Sequence, residues 1–211
     1  QLDNGGKSVF VSYNDEKLML ETPVMISPFG VSNYVGDKGE ASDKWSVQLS
    51  FGNDPSSPLN VLKESLMAFD DHVVQHACNN SLQWLKHRTL SKEAASMLYT
   101  PTVRFAKDRA TGEITDRFPP TIRLTVPTSN GQFTVPTYNA NREKVDLASI
   151  ETRKAKINAI IQCSSIWVVG GRFGASWRVV QLRVVPPQSF SGYAFSAQEE
   201  EPVVALPSTN G

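Results

Sequence analysis

The sequence predicts a mainly β domain, a barrel or sandwich with helical insertions. Three observations carry that expectation. Short segments of alternating apolar and polar residues recur along the chain, one stretch carries a long helical stripe, and no βαβ rhythm joins strands to helices. The 211 residues are 40% hydrophobic and 20% charged, enough for one large domain and too apolar for a disordered chain.

The first thirty residues read as strand, turn, strand. Val9–Tyr13 alternates, Asn14-Asp15 supplies turn chemistry, and Lys17–Glu21 resumes. Pro28–Tyr34 reads as a loop, and Gly36–Asp43 as a polar, flexible stretch. Trp45, Val47, Leu49 and Phe51 fall on one face of a strand, with Ser46, Gln48 and Ser50 on the other.

After the break at Asn53–Pro58, Leu59, Leu62, Leu66, Phe69, Val73 and Ala77 recur at spacings of three and four, which predicts a helix over about 59–87. Ser57 suits its cap and Pro58 its first turn. A second, short helix is expected from Ser91 to about Leu98, ended by Thr100-Pro101.

From Val103 the pattern is strands and turns. Val103–Ala106 leads into a hairpin turn at Asp108–Gly112, Thr121–Val126 alternates, and Ser129-Asn130-Gly131 marks a hairpin leading into Phe133–Tyr138. Two long strands, Arg153–Val169 and Ser176–Val185, flank the Gly-rich segment Val169–Gly174. The expected organisation is one domain over 1–187, with its helical insertion at about 58–99, and an extended, partly acidic arm over 188–211.

Several function classes are disfavoured. No apolar run approaches the roughly 20 residues of a membrane helix. No basic-then-apolar leader opens the chain, so no signal peptide is expected, and the Gln1 start points to a removed N-terminal segment. Two cysteines make neither a disulfide framework nor a four-cysteine zinc site, which suggests a reducing, intracellular setting: host cytoplasm or nucleus if the protein is viral. His72 and His76 share a helix face beside Asp70, Asp71 and Cys78, but further ligands at metal-binding spacing are missing, so no metal or cofactor is expected. Cys163 reads as a small core residue. With no nucleophile elbow, Walker loop or carboxylate pair, the expectation is a protein without catalytic activity.

The net charge of zero conceals a segregation. Residues 1–100 carry 8 Lys and Arg against 12 Asp and Glu, whereas residues 101–190 carry 13 against 6, a net of +7. Such asymmetry points to a polyanionic partner. Strict alternation through Arg153–Trp167 sets Lys154, Lys156, Asn158, Ile160, Gln162, Ser164 and Ile166 on one face, and Arg153, Ala155, Ile157, Ala159, Ile161, Cys163, Ser165 and Trp167 on the other. In the partner strand, Trp177, Val179, Gln181 and Arg183 alternate against Arg178, Val180, Leu182 and Val184. Cations and rings on an open sheet suit a single nucleic-acid strand, because bases stack on aromatics while cations follow the phosphates. Gly171-Arg172-Phe173-Gly174 matches a Gly-x-x-Gly loop, but it joins strands rather than helices, so it is not read as a KH motif.

The run from Lys154 through Val169-Gly170-Gly171-Arg172-Phe173-Gly174-Ala175-Ser176 to Gln181-Leu182 resembles the last hairpin of the single-stranded-DNA-binding proteins of T7-like phages and large DNA viruses. The likeness covers mainly residues 145–186, with a weaker echo in the Tyr13–Pro23 strand and the Pro28-Phe29-Gly30 loop. It implies an OB-fold-like Greek-key barrel with one long inserted helix and a short second one, binding single-stranded DNA without sequence preference in replication, recombination or repair. The resemblance implies Lys154, Lys156, Arg172, Phe173, Trp177 and Arg178 as strand contacts, Lys107, Arg109 and Arg123 as the rim, and Tyr34 and Trp45 as further rings. It also implies replication proteins as partners of the C-terminal arm, and a homo-oligomer is compatible with it. The tail departs from the family's strongly acidic, aromatic-ended pattern, with only Glu199–Glu201. Two other readings stand beside it: a scaffold protein, such as a minor component of a virus particle, whose proline-rich arm wraps a neighbour, and a metal-dependent hydrolase built on Asp70–Cys78.

Overall fold

The computed structural model describes residues 6–35 and 41–188. In chain order the strands are β1 (Lys7–Phe10), β2 (Ser12–Tyr13), β3 (Glu16–Lys17), β4 (Met19–Glu21), β5 (Met25–Ile26), β6 (Val31–Val35) and β7 (Ala41–Ser50). Three helices follow: α1 (Pro58–Asn79), α2 (Ser81–Leu85) and α3 (Lys92–Leu98). The chain continues through β8 (Tyr99–Thr100), β9 (Val103–Arg104), β10 (Thr121–Val126), β11 (Thr128–Ser129) and β12 (Gln132–Phe133). It closes with β13 (Thr137–Tyr138), β14 (Lys144–Val145), β15 (Lys156–Val169) and β16 (Arg172–Val185).

The pairings close a barrel. β5 joins β7, β7 joins β10, β10 joins β16 in parallel, β16 joins β15, and β15 returns to β4 and β5. Counting β4 and β5 as one strand broken around Pro23, this is a five-stranded Greek-key circuit, the OB-fold architecture. The fold is mainly β, as expected.

The barrel closes on apolar side chains from alternate positions. Val47 and Leu49 of β7, Ile122 and Leu124 of β10, Ile157 and Ile161 of β15, and Val179, Leu182 and Val184 of β16 are all buried in one core. The Ser57 Oγ accepts the Leu59 N–H at 3.2 Å and starts α1. Leu59, Leu62, Leu66 and Phe69 plug one barrel mouth. The second half of α1, with α2 and α3, forms a separate core around Val73, Ala77, Leu85, Ala95 and Tyr99.

Asp70 ties that layer together. Its carboxylate accepts the Tyr99 hydroxyl at 2.7 Å and the Thr102 N–H at 2.7 Å. Burial pushes the Asp70 carboxyl above its ordinary value, and these hydrogen bonds hold the rise back.

Several boundaries differ from expectation. The helix expected over 59–87 breaks at Asn80, whose side chain and backbone both donate to His76 O; α2 then ends at Lys86, with φ 61°. Pro28–Tyr34 is not all loop, since Val31–Val35 pairs with β7 as β6. The Val169–Gly174 connection shrinks to a two-residue turn, Gly170-Gly171, both at positive φ and therefore suited to a tight hairpin. The hairpin at Asn130-Gly131 forms, but the strand expected over Phe133–Tyr138 divides into β12 and β13. Strand β15 starts at Lys156 rather than Arg153, because Lys154 turns at φ 59° while its N–H bonds Ser27 O. The arm from residue 189 onward lies outside the described residues.

Candidate nucleic-acid interface

Two β-bulges decide what the ribbon displays. Register shifts fall between Ile160 and Ile161 and between Cys163 and Ser165. Each adds a residue to one strand and reverses the inward–outward phase beyond it. Strict alternation puts Trp167 beside Cys163 and sends Ile166 outward. The bulge at Ser164 instead buries Ile166 and turns Trp167 outward, across Gly174. A Cβ at Gly174 would sit 2.7 Å from the Trp167 Cζ2, so only glycine leaves room for the ring. In β16 the extra residue is Val180, so Trp177, Val179, Leu182 and Val184 point inward and Arg178 and Arg183 point outward.

Phe173 and Trp177 are therefore not the stacking surfaces expected of them. Phe173 is 0% exposed, with Tyr99 at 5.1 Å and Trp84 at 6.5 Å between ring centroids. Trp177 is 4% exposed and packs edge-on against Phe69 at 5.6 Å. The helices roof the inner face of the ribbon tip, which sequence spacing alone could not show. Trp45 is half-buried with its edge against Phe133 at 5.1 Å. The Tyr34 side chain lies outside the described residues.

The expected cations divide into groups. Arg172 is exposed at the tip, whereas Lys154 and Lys156 are exposed at the base, about 40 Å away at 3.3 Å per residue. Lys107 and Arg109 are exposed on the hairpin between β9 and β10, whose tip is fixed by the Asp108 carboxylate accepting the Ala110 and Thr111 N–H groups. Arg123 and Arg178 come together. Arg178 pairs with Thr125 across the parallel β10–β16 contact, two residues along β10 from Arg123. On the same side of β10, Arg104 of β9 stands opposite Thr121, again two residues from Arg123. Arg104, Arg123 and Arg178 thus form a row of diagonal neighbours, with about 7–8 Å between successive backbones.

The hydrogen-bond partners of this face are neutral. Arg123 Nε donates to Ser46 Oγ at 3.0 Å. Arg178 donates through Nε and Nη2 to Gln162 Oε1 at 3.1 and 2.8 Å. Arg183 donates to Asn158 Oδ1 at 2.8 Å. An ion pair does form on the helices, Lys92–Asp71. Neutral acceptors orient a guanidinium and leave its charge uncompensated. Partial burial and then the neighbouring Arg123 guanidinium lower the Arg104 pKa, a sign of crowded positive charge. Glu21, opposite Ile160, bounds the face on the β4 side.

Arg104 was missed in the sequence because it follows Val103 at the end of a two-residue strand. So were Phe105 and Phe118, the exposed rings at either end of the next hairpin, and Arg117, whose guanidinium lies 5.6 Å from the Phe118 ring centroid. Aromatics bracketing a polar, basic hairpin were the available signal.

Asp70 is committed to Tyr99 and Thr102, and the His72 and His76 rings meet at a tilt of 59° with centroids 4.6 Å apart. Among the described residues no three His, Cys, Asp or Glu side chains converge as metal ligands, and no helix is long and apolar enough to cross a membrane.

The architecture and this face define an OB-type barrel with an arginine row on its outer wall. The chain belongs to a family of unknown function (DUF5871), whose model matches residues 54–197. No curated protein matches it. Among solved structures it is similar to gp2.5, a single-stranded DNA binding protein encoded by bacteriophage T7, at 10% identity over 90% of this chain and 100% of that one, with a TM-score of 0.47. It is also similar to the single-stranded DNA-binding protein from bacteriophage Enc34 in complex with ssDNA, at 12% identity over 88% and 99% of the two chains, TM-score 0.48. A C-terminal truncation of the Enc34 protein matches at 8% identity over 89% and 98%, TM-score 0.47.

Proposed function

We propose that this protein binds single-stranded DNA without sequence preference and without catalysing a reaction, in DNA replication, recombination or repair. The observation that carries this reading is the Arg104–Arg123–Arg178 row, in which Arg123 and Arg178 are oriented by the neutral side chains of Ser46 and Gln162. It crosses β10 and abuts β7, the third and second strands of the barrel, and that face is where OB-folds engage oligonucleotides. Guanidinium groups there track phosphates whatever the base sequence. Ser46 and Gln48 add neutral polar groups on the same wall. Lys154 and Lys156 at the ribbon base, with Lys107 and Arg109 on the hairpin, extend the cationic surface at either end.

The test is a fluorescence titration of labelled oligo-dT over a range of salt concentrations. Tight binding at low salt is expected, with log affinity falling linearly in log salt by about 0.7 per phosphate engaged, hence a slope of about −2 for three arginines. Oligo-dT that fails to bind at low salt overturns the proposal.

A further inference from the structure

Where β7 runs into the Phe51–Pro55 loop, the hairpin between β9 and β10 leans over and leaves a cleft of about 330 Å³. Its walls include Phe51, Asn60, Phe105, Ile114, Phe118 and Pro120. We infer that this cleft is a nucleobase slot, receiving one unstacked base of a strand whose phosphates lie along Arg104 and Arg123. The inference rests on the strand-binding reading above and adds to it a site for the base.

The first support is apolar exposure. Phe105 is 38%, Ile114 65% and Phe118 61% exposed, three large apolar side chains gathered at one cleft. Large apolar groups left in water beside a polar rim mark a binding surface. The second is continuity. Phe105 follows Arg104 directly, and Phe118 stands three residues before Thr121, the residue opposite Arg104. A strand on the arginine row therefore passes the mouth of the cleft.

The third support is the arrangement of charge. Arg117 sits over the Phe118 ring and Lys63 lines the wall, so two cations stand at the cleft, while elsewhere on the hairpin Lys107 and Arg109 are balanced by Asp108 and Glu113. The lining also carries two exposed carboxylates, Asp54 and Asp116. Hydrogen bonds from the Ser56 side chain and backbone hold the Asp54 carboxyl below its ordinary value, so it stays ionised. With two carboxylates against one lysine, the lining disfavours a phosphate, while its apolar side chains accept a neutral, flat base. The slot thus separates the two halves of a nucleotide, base inward and phosphate outward.

The experiment uses the full chain and its Phe105→Ala and Phe118→Ala variants, titrated with fluorescein-labelled oligo-dT and with an abasic oligomer of equal length. Each variant should bind oligo-dT about tenfold more weakly with an unchanged salt slope, and bind the abasic oligomer as the parent does. Unchanged affinity for oligo-dT, or an equal loss on the abasic oligomer, overturns the slot while leaving strand binding in place. In parallel, deoxyadenosine monophosphate is titrated against the Ile114 methyl resonances, which should shift in the parent and not in Phe118→Ala. If oligo-dT does not bind, the strand-binding reading falls, and the Ile114 signal decides alone: a shift keeps the slot, and its absence overturns it. Phe105 and Phe118 are exposed and belong to neither buried core, so both substitutions should leave the fold intact, which circular dichroism checks.

Discussion

The barrel half of the β15–β16 ribbon and its tip half are made from similar residues and display opposite surfaces. Near the barrel, Arg178 and Arg183 face water, held by Gln162 and Asn158, and the apolar side chains point into a closed core. Toward the tip, the inward face meets α1 and α3, which cover Phe173, Ile166 and Val168 in a second core. The barrel interior continues into the helix-facing layer through the bulge at Ser164. An aromatic on a strand becomes a stacking platform only where no other element needs that face, and here the helices use it.

The largest expected effect breaks the tip half. Phe173→Ala should cost about 3–5 kcal/mol in urea unfolding, since it empties a site between Tyr99 and Trp84. Oligo-dT affinity of the folded fraction should stay at the parent value. A stable Phe173→Ala protein with weakened binding would return this ring to the interface.

Next is the latch that holds the helical roof. Asp70→Asn loses one of two charge-assisted hydrogen bonds and should cost about 1–3 kcal/mol. The native carboxyl titrates above its unfolded value, so the folded state holds the proton more tightly. The stability from that linkage is fully present below the unfolded value, about 3.9, and is lost as pH rises through the raised native value. The gap between parent and variant should therefore be wider at acid pH and narrow toward neutrality. Thermal melts across that window measure it.

The barrel half is tested by a matched pair. Arg123→Ala should weaken oligo-dT binding about tenfold and make the salt slope shallower by about 0.7, whereas Arg172→Ala should stay within about twofold. Equal losses would mean that the tip joins the interface. The smallest effect is an expected silence. Burial pushes the Cys163 thiol up to about 12, so a thiol reagent should reach Cys78 alone in the folded protein and Cys163 only after unfolding.

Much of the local structure was legible because period and turn chemistry act over a few residues. The α1 stripe with its Ser57 cap, the alternation of Thr121–Val126, and the Asn130-Gly131 turn all formed where expected. The proposed binding face was legible only in outline. The charge bias of residues 101–190 was visible, but not which cations meet: Arg104 and Arg178 are 74 positions apart and become neighbours of Arg123 only when β9 and β16 pair along the same edge of β10. Trp167 was assigned to the wrong face because a bulge leaves no mark in a period-two pattern.

What the chain determined by itself was the kind of element at most positions and the surplus of positive charge in its second half. Those follow from nearest-neighbour preferences and residue counts, which need no knowledge of partners. Barrel closure, the two bulges and the helical roof belong to the tertiary structure, because each depends on which distant backbone satisfies a strand's hydrogen bonds. Those pairings turned Arg123 and Arg178 toward water and Phe173 and Trp177 away from it.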